Sequence, residues 1–558
     1  MFTTVARWLS LAVLVAAVVG AILQHRAPLA PAAPPPATAA INNVQDQIGK
    51  YAVVKLTADL SALTAAERGV LLHLIRASEV MDDLYWQQSY GDRQALLSSI
   101  ADPALRQLVD MNYGPWERLT DFQPLLTGIG VRPAGTNLYP PNITLAELNT
   151  LPPALRDNGY SIVRRDATGR LQVIPYSQAY GPQLAIAANE LRQAATLTAD
   201  SALQRYLNAR AAAFLSNDYR ASDLAWLDMK GNHIETVIGP IESYEDGLLG
   251  LRANFEGLVL LKDMRWSERL ARFARLLPGL QRALPVPAAY KRETPGTDSE
   301  LNAYDVLLYQ GEANTGGKVI ATNLPNDEAV QLQKGTRRLQ LKNAMQAKFD
   351  QILKPIAGEL ITADQQANIR FEAFFPNIMF HEVAHGLGIK YTLDGKGTVR
   401  AALRELTSPL EEAKADILGL WLVTRLLASH ELRDTTVADH YVTFVAGIMR
   451  SVRFSAADAH GKANMIEFNY FLDHGAFVRD AGTGRYRVNV ARAQAATEEL
   501  AARILKLQGD GDYATAATML ATEGVVRPEL SADLARLTTL RIPVDVVFEQ
   551  GPQLLGLQ

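Results

Sequence analysis

His381-Glu382-Val383-Ala384-His385, followed by Glu411-Glu412-Ala413-Lys414-Ala415-Asp416, is the stretch from which the chain is best read. On an α-helix residues i and i+4 share a face, so His381 and His385 can turn two imidazoles toward one metal ion, with Glu382 beside them. A catalytic zinc site takes three protein ligands and keeps a fourth position open, so one more N or O donor has to come from elsewhere. Glu412 suits this role, because the 27 residues after His385 allow a helix end, a loop and a returning helix. Ser408 as N-cap, Pro409 at the first helical position and Glu411 three residues after the serine predict the start of that helix, and the apolar run Ile417 to Leu427 continues it. Within it Glu412 and Asp416 are i and i+4, so one can bind the metal while the other orients a ligand histidine; Glu411 is read as a cap or a similar support.

The first helix is predicted to open at Pro376, to bury Phe380, Val383, Ala384 and Leu387, and to stop at Gly386 and Gly388. Two histidines and a carboxylate favour one zinc ion per chain, although manganese or cobalt accept the same donors.

Together these segments resemble the zinc site of the dipeptidyl peptidase III family, whose second motif reads Glu-Glu-x-x-Ala-Asp/Glu. That family carries His-Glu-x-x-Gly-His, one residue longer than the form found here, and the shorter form restores regular i, i+4 spacing. Further segments add to the resemblance: Glu242-Ser243-Tyr244-Glu245-Asp246, Asn254-Phe255-Glu256-Gly257-Leu258, Asn323-Leu324-Pro325-Asn326 and Ala459-His460, the last ahead of a helix to Leu472. It extends from Glu242 to roughly Arg541 and leaves the residues before about 225 unmatched.

The resemblance implies a predominantly helical α+β fold of two lobes around a wide cleft: a helical zinc lobe, and a mixed lobe with a small β-barrel. The mixed lobe is expected over residues 42–262 and 306–350 with the C-terminal tail, the helical lobe over 263–305 and 351–539. It also implies roles. Glu382 is the general base, Tyr244 and His460 donate hydrogen bonds to the oxyanion, Glu411 and Asp416 support the ligands, and Glu242, Asn323 and Asn326 hold the free amino terminus of a short peptide. The activity expected is release of dipeptides. The alternatives are a zinc hydrolase of the same fold acting as an endopeptidase or simple aminopeptidase, and a noncatalytic peptide-binding relic, which the intact Glu382 disfavours.

Composition agrees with an enzyme. The 558 residues, 48% hydrophobic and 20% charged, can bury a large core. A net charge of −4 without basic runs argues against a nucleic-acid partner. The chain has no cysteine, which excludes disulfides, thiolate catalysis and a lipoprotein anchor. Trp8 to Leu23 is an apolar run of 16 residues behind Arg7, followed by an Ala/Pro-rich stretch from Ala27 to Ala40. Residues 1–26 are read as an export signal or membrane anchor, with an uncleaved anchor favoured over cleavage near Ala37-Thr38-Ala39, and 27–41 as a linker; the enzyme is then exported and faces the periplasm. Helical periodicity is clearest at Ala65 to Tyr85, Gln183 to Leu215, Arg265 to Leu277 and Ala491 to Leu507. Lys318 to Thr322 is β-prone, and Ala476 to Val490 reads as a hairpin around Asp480 to Gly484.

Overall fold

Strands β1 (Ile234–Glu242), β2 (Asn254–Lys262), β3 (Glu300–Gly311), β4 (Ala321–Leu324) and β5 (Arg337–Leu341) form a five-stranded sheet in the computed structural model, which describes residues 38–293, 300–453, 456 and 458–557. Their order is β1-β2-β3-β5-β4, antiparallel except for the β3/β5 pair. Near its centre β2 is buried along its whole length, which is why it reads as an apolar run and not as an alternation. Register shifts at Pro240/Glu242 and Val259/Leu260 bend the sheet. The expected barrel takes the form of a curled half-barrel whose edges are β1 and β4. Side chains bridge the gap: Asn326 Nδ2 donates to Ile241 O at 3.1 Å and to Glu242 Oε2 at 2.9 Å. The β-prone Lys318 to Thr322 lies slightly early, since the ladder with β5 begins at Ala321.

Helix α1 (Ala65–Ser89), opened by a Thr64/Glu67 capping box, crosses the sheet, and α2 (Gly181–Leu197) packs against both α1 and α3 (Ser201–Ser216). The long pattern from Gln183 to Leu215 is two helices, because Asp200 caps a new start by accepting from the amides of Ala202 and Leu203. Gly257 sets the approach of α1: a Cβ there would lie 2.7 Å from Ser78 Cβ.

A second apolar core is built by α4 (Phe371–Ala384), α5 (Thr407–Ala428), α6 (Val437–Ser451), α7 (Ala459–Asp473), the hairpin of β6 (Phe477–Arg479) and β7 (Tyr486–Val488), and α8 (Val490–Asp510). Two predicted helix starts are corrected. Pro376 lies inside α4, which begins at Phe371, because Phe371, Phe374 and Phe375 pack with Phe349 and Trp266 and hold the preceding turn. Helix α5 begins at Thr407 behind a 3₁₀ turn (Arg404–Leu406), so Ser408 is not its cap and Glu411 closes no capping box. From Ile417 to Val423 every α5 residue is buried, as in a helix at the centre of a bundle.

The helical core gathers side chains from Leu270 to Val546, and the sheet core from Leu56 to Ala344 with Leu555 and Leu557. Strand β3 passes from one to the other, with Ala303 in the helical core and Tyr304 in the sheet core. Strand Tyr51–Lys55 pairs in parallel with Asp545–Glu549 and ties the two ends of the described chain together. The anchor and most of the linker read from the sequence lie outside the described residues. No described helix is long and apolar enough to cross a membrane.

Candidate metal centre and active-site cleft

Helix α4 holds His381 in its last turn and His385 at its C-cap, one turn apart, their rings nearly perpendicular at 88° and their Nε2 atoms 3.2 Å apart. Helix α5 packs against this turn at Gly419, where a Cβ would stand 2.8 Å from the amide nitrogen of His381. That close approach brings Glu412 Oε2 to 3.3 Å from His381 Nε2 and 3.7 Å from His385 Nε2. Ligand bonds of about 2.0–2.1 Å in a tetrahedron imply edges of about 3.3–3.4 Å, so three donor atoms are spaced as corners of a metal site. Glu412 Oε2 is buried and accepts no well-directed hydrogen bond, although three imidazoles surround it. Donors aimed at a common point have this geometry; donors aimed at one another do not. The third imidazole is His460, at the start of α7, with Nε2 3.2 Å from Glu412 Oε2. His381, Glu412 and His460 also group their ligand atoms within 4.8 Å.

Behind each α4 histidine stands a carboxylate from α5. Asp416 Oδ1 is 2.7 Å from His381 Nδ1 and Glu411 Oε1 is 3.1 Å from His385 Nδ1, which directs both Nε2 atoms to the centre. Glu411 thus has a partner across the helix pair in place of a capping role. Burial works against its ionisation, but Lys414 Nζ at 2.6 Å and then His385 bring its carboxyl down to about 2. Lys414 also donates to Leu387 O at 2.9 Å, pinning the end of α4, and Gln508 of α8 donates to Glu411 Oε2 at 3.3 Å. Asp416 Oδ2 accepts from Asn464 Nδ2 at 3.2 Å, and the same amide reaches Glu467, which burial keeps well above the usual carboxylate range. Burial would likewise raise Glu412 and Asp416, yet His381, with His460, reverses this to a net lowering. The centre therefore gathers anionic carboxylates around imidazoles, a setting that suits a divalent cation.

Glu382, His381 and His460 sit where two cavities meet. One, of about 600 Å³, is walled by Glu242, Tyr244, Glu256, Glu312, Asn323 and Asn326. The other, of about 550 Å³, is walled by Phe374, Ile378, Phe444 and Ile448. Each lies within the ~300–1,000 Å³ typical of ligand sites, and the two join end to end at the histidines. Burial raises the Glu242 carboxyl, and Asn326 and Thr322 offset part of that. Tyr244 is 82% exposed in the open cleft, and the surrounding walls, with the carboxylates of Glu242, Glu312 and Glu256, push its phenol upward. Arg338 Nη1 donates to the Glu382 carbonyl at 2.7 Å and fixes that turn of α4 to the sheet lobe.

The fold occurs in known proteins. The structure of DPP III from Caldithrix abyssi superposes with a TM-score of 0.87 at 36% identity, over 91% of this chain and 99% of that one. That of dipeptidyl-peptidase III from Corallococcus sp. strain EGB gives a TM-score of 0.76 at 37% identity, over 91% and 96%. The sequence profile of peptidase family M49 matches residues 161–417, which include both α4 histidines and the α5 carboxylates. The chain belongs to peptidase family M49. It is similar as well to Nudix hydrolase 3 of Arabidopsis thaliana, 32% identical over 90% of this chain and 73% of that protein.

In this M49 peptidase, a metallopeptidase of the dipeptidyl peptidase III type, all eleven residues singled out in the sequence lie in or beside one cleft. Sequence reading missed Lys414, Gln508, Asn464 and Glu467. Lys414 was within reach, being i+3 from Glu411 on one helix face. The other three are single polar residues on α7 and α8, and no spacing marks them.

Proposed function

We propose that this M49 peptidase holds one zinc ion with His381, His385 and Glu412 and releases dipeptides from the free amino terminus of short peptides. The observation that carries the reading is the tetrahedral-edge spacing of the three donor atoms at one end of a cavity whose other end is the Glu242–Asn326 pair. Bound zinc would supply a Lewis acid that polarises the scissile carbonyl and makes water acidic near neutral pH. Glu382 takes the proton of the attacking water and passes it to the leaving nitrogen. Tyr244 and His460 donate to the oxyanion. Glu242 meets the ammonium group while Asn323 and Asn326 bind the first residues. Strand β4 is an edge of the sheet and lines the cleft, so an extended peptide can add to it as a further strand.

A second reading exchanges His385 for His460 as ligand, favoured by the 3.2 Å between His460 Nε2 and Glu412 Oε2. Elemental analysis separates the two: in the first, His385→Ala loses zinc and His460→Ala keeps it; in the second the outcomes reverse. Hydrolysis of dipeptidyl and single-residue reporter substrates tests specificity. Dipeptidyl reporters should be cleaved and their N-acetylated forms spared, because the half-buried carboxylate of Glu242 then meets no charge. Equal cleavage of blocked and free peptides would refute the exopeptidase reading. We also propose that the catalytic body is exported, on the strength of the apolar run Trp8 to Leu23; protease added to intact spheroplasts should digest it, and full protection would overturn the placement.

A further inference from the structure

The last turn of α4 carries both histidines and Glu382, and its backbone bonds run out there. In a continuing helix the amide of Gly386 would reach Glu382 O; here it bonds Val383 O at 3.0 Å instead. Carbonyls left over at a helix C-terminus need donors from outside, and cations suit them because the negative end of the helix dipole lies there. Two cations supply this end of α4 from different directions. Lys414 of α5 reaches Leu387 O at 2.9 Å, and Arg338 of β5 reaches Glu382 O at 2.7 Å in a charge-assisted bond.

The two caps differ in what they tie together. Lys414 joins α4 to a neighbour in the same core, whereas Arg338 crosses from the sheet. Successive strand residues face opposite ways: Arg337 Nη1 is 2.8 Å from the buried Glu235 Oε2 within the sheet lobe, which leaves Arg338 on the face toward α4. Burial works against the charge of the Arg338 guanidinium, and the Glu382 carboxylate offsets part of that. In the ladder Arg338 pairs with Asn323 of β4, the edge strand that lines the cleft. One residue therefore links that edge strand to the backbone of Glu382.

We propose that Arg338 is a positioning residue for hydrolysis: by holding Glu382 O it sets the distance between the Glu382 carboxylate and a peptide carbonyl laid along β4, and so serves turnover, not metal binding or ground-state peptide binding. This rests on the reading above in which Glu382 is the base and β4 takes the peptide as a further strand. Base and peptide then belong to different lobes, and their separation is set by contacts between the lobes. A misplacement of about 1 Å in such a geometry costs up to about a hundredfold in rate.

The test uses the full-length, zinc-loaded protein and the peptide Ala-Ala-Leu-Ala, with release of Ala-Ala as the readout. Arg338→Gln should lower kcat about tenfold to a hundredfold. KM should stay within about threefold of native, and zinc content by elemental analysis should not change. Arg338→Lys keeps a cationic donor and should recover part of the loss. The deciding measurement is a double-mutant cycle with Glu382→Gln. A residue that acts through the base loses its effect once the base is gone, so Arg338→Gln should slow the Glu382→Gln enzyme by less than about twofold. Where Arg338→Gln does not fold, Arg338→Met, which keeps the apolar stem without the donor, carries the same cycle. Losses that multiply, zinc that is lost, or a native kcat in the variant used overturn the inference alone. A native protein that releases no Ala-Ala overturns the dipeptide-releasing reading, a Glu382→Gln enzyme that keeps a tenth of the native rate overturns the role of the base, and the inference falls with either.

Discussion

Glu382 stands beside His381 where the two halves of the cleft meet, so an amide in its place keeps the volume and removes the proton acceptor. Glu382→Gln should retain metal and melting temperature and lose about 10²–10⁴ in kcat, the range that general-base catalysis supplies. Elemental analysis with steady-state kinetics checks it, and retention of a tenth of the native rate would remove Glu382 from the chemistry. Glu312 is a second carboxylate with a measurable signature. Burial, then Glu256 and Glu242, hold it well above its ordinary range, while Arg118 and Arg132 pull the other way. Above the unfolded value of about 4.3 the unfolded chain releases this proton and the folded chain keeps it, so its contribution to stability declines as pH rises toward the folded pKa. Glu312→Gln should match the native melting temperature near pH 4 and exceed it by a growing margin toward pH 8. A difference that does not depend on pH would show that Glu312 ionises freely in the fold.

At the scale of elements, the pair α4/α5 carries the centre, and Gly419 sets its spacing. A methyl group there meets backbone of α4 at 2.8 Å, and backbone does not yield as a flexible side chain does. Gly419→Ala should therefore push Glu412 away from the imidazoles and weaken metal affinity about tenfold or more, measured by competition with a chelator, with a smaller loss of stability of about 1–3 kcal/mol from overpacking. Unchanged metal affinity would mean the helices can slide without disturbing their ligands. This pair also marks how far local signals reach. Both helices were legible from their apolar stripes, but neither start was. Pro376 and Ser408 have the chemistry of helix beginnings, and aromatic packing before Pro376 and a 3₁₀ turn before Thr407 extended both helices past them. Tertiary contacts outweigh terminal propensities of about 1 kcal/mol.

For the whole molecule, Asp545 is where distant parts converge: it lies in the strand paired with Tyr51–Lys55, bonds Lys348 Nζ at 2.9 Å and accepts from the amide of Lys318 at 2.9 Å. Asp545→Asn should cost about 3–5 kcal/mol by denaturant unfolding, as breaking a buried ion pair does. A loss below about 1 kcal/mol would show that the lysines reorganise to solvent without penalty. The sequence by itself determined the metal-binding turn, the acidic helix that answers it and the helical character of the chain, because i, i+4 spacing and apolar periodicity are local properties of a helix. Only the tertiary structure decided that Asp416 serves His381 and Glu411 serves His385, that His460 reaches Glu412, and that the cleft joins an acidic half to a more apolar one. Those relations join residues brought together by packing, such as Gly419 against His381 and Lys318 beside Asp545, and no local spacing encodes a contact whose two sides lie on different elements.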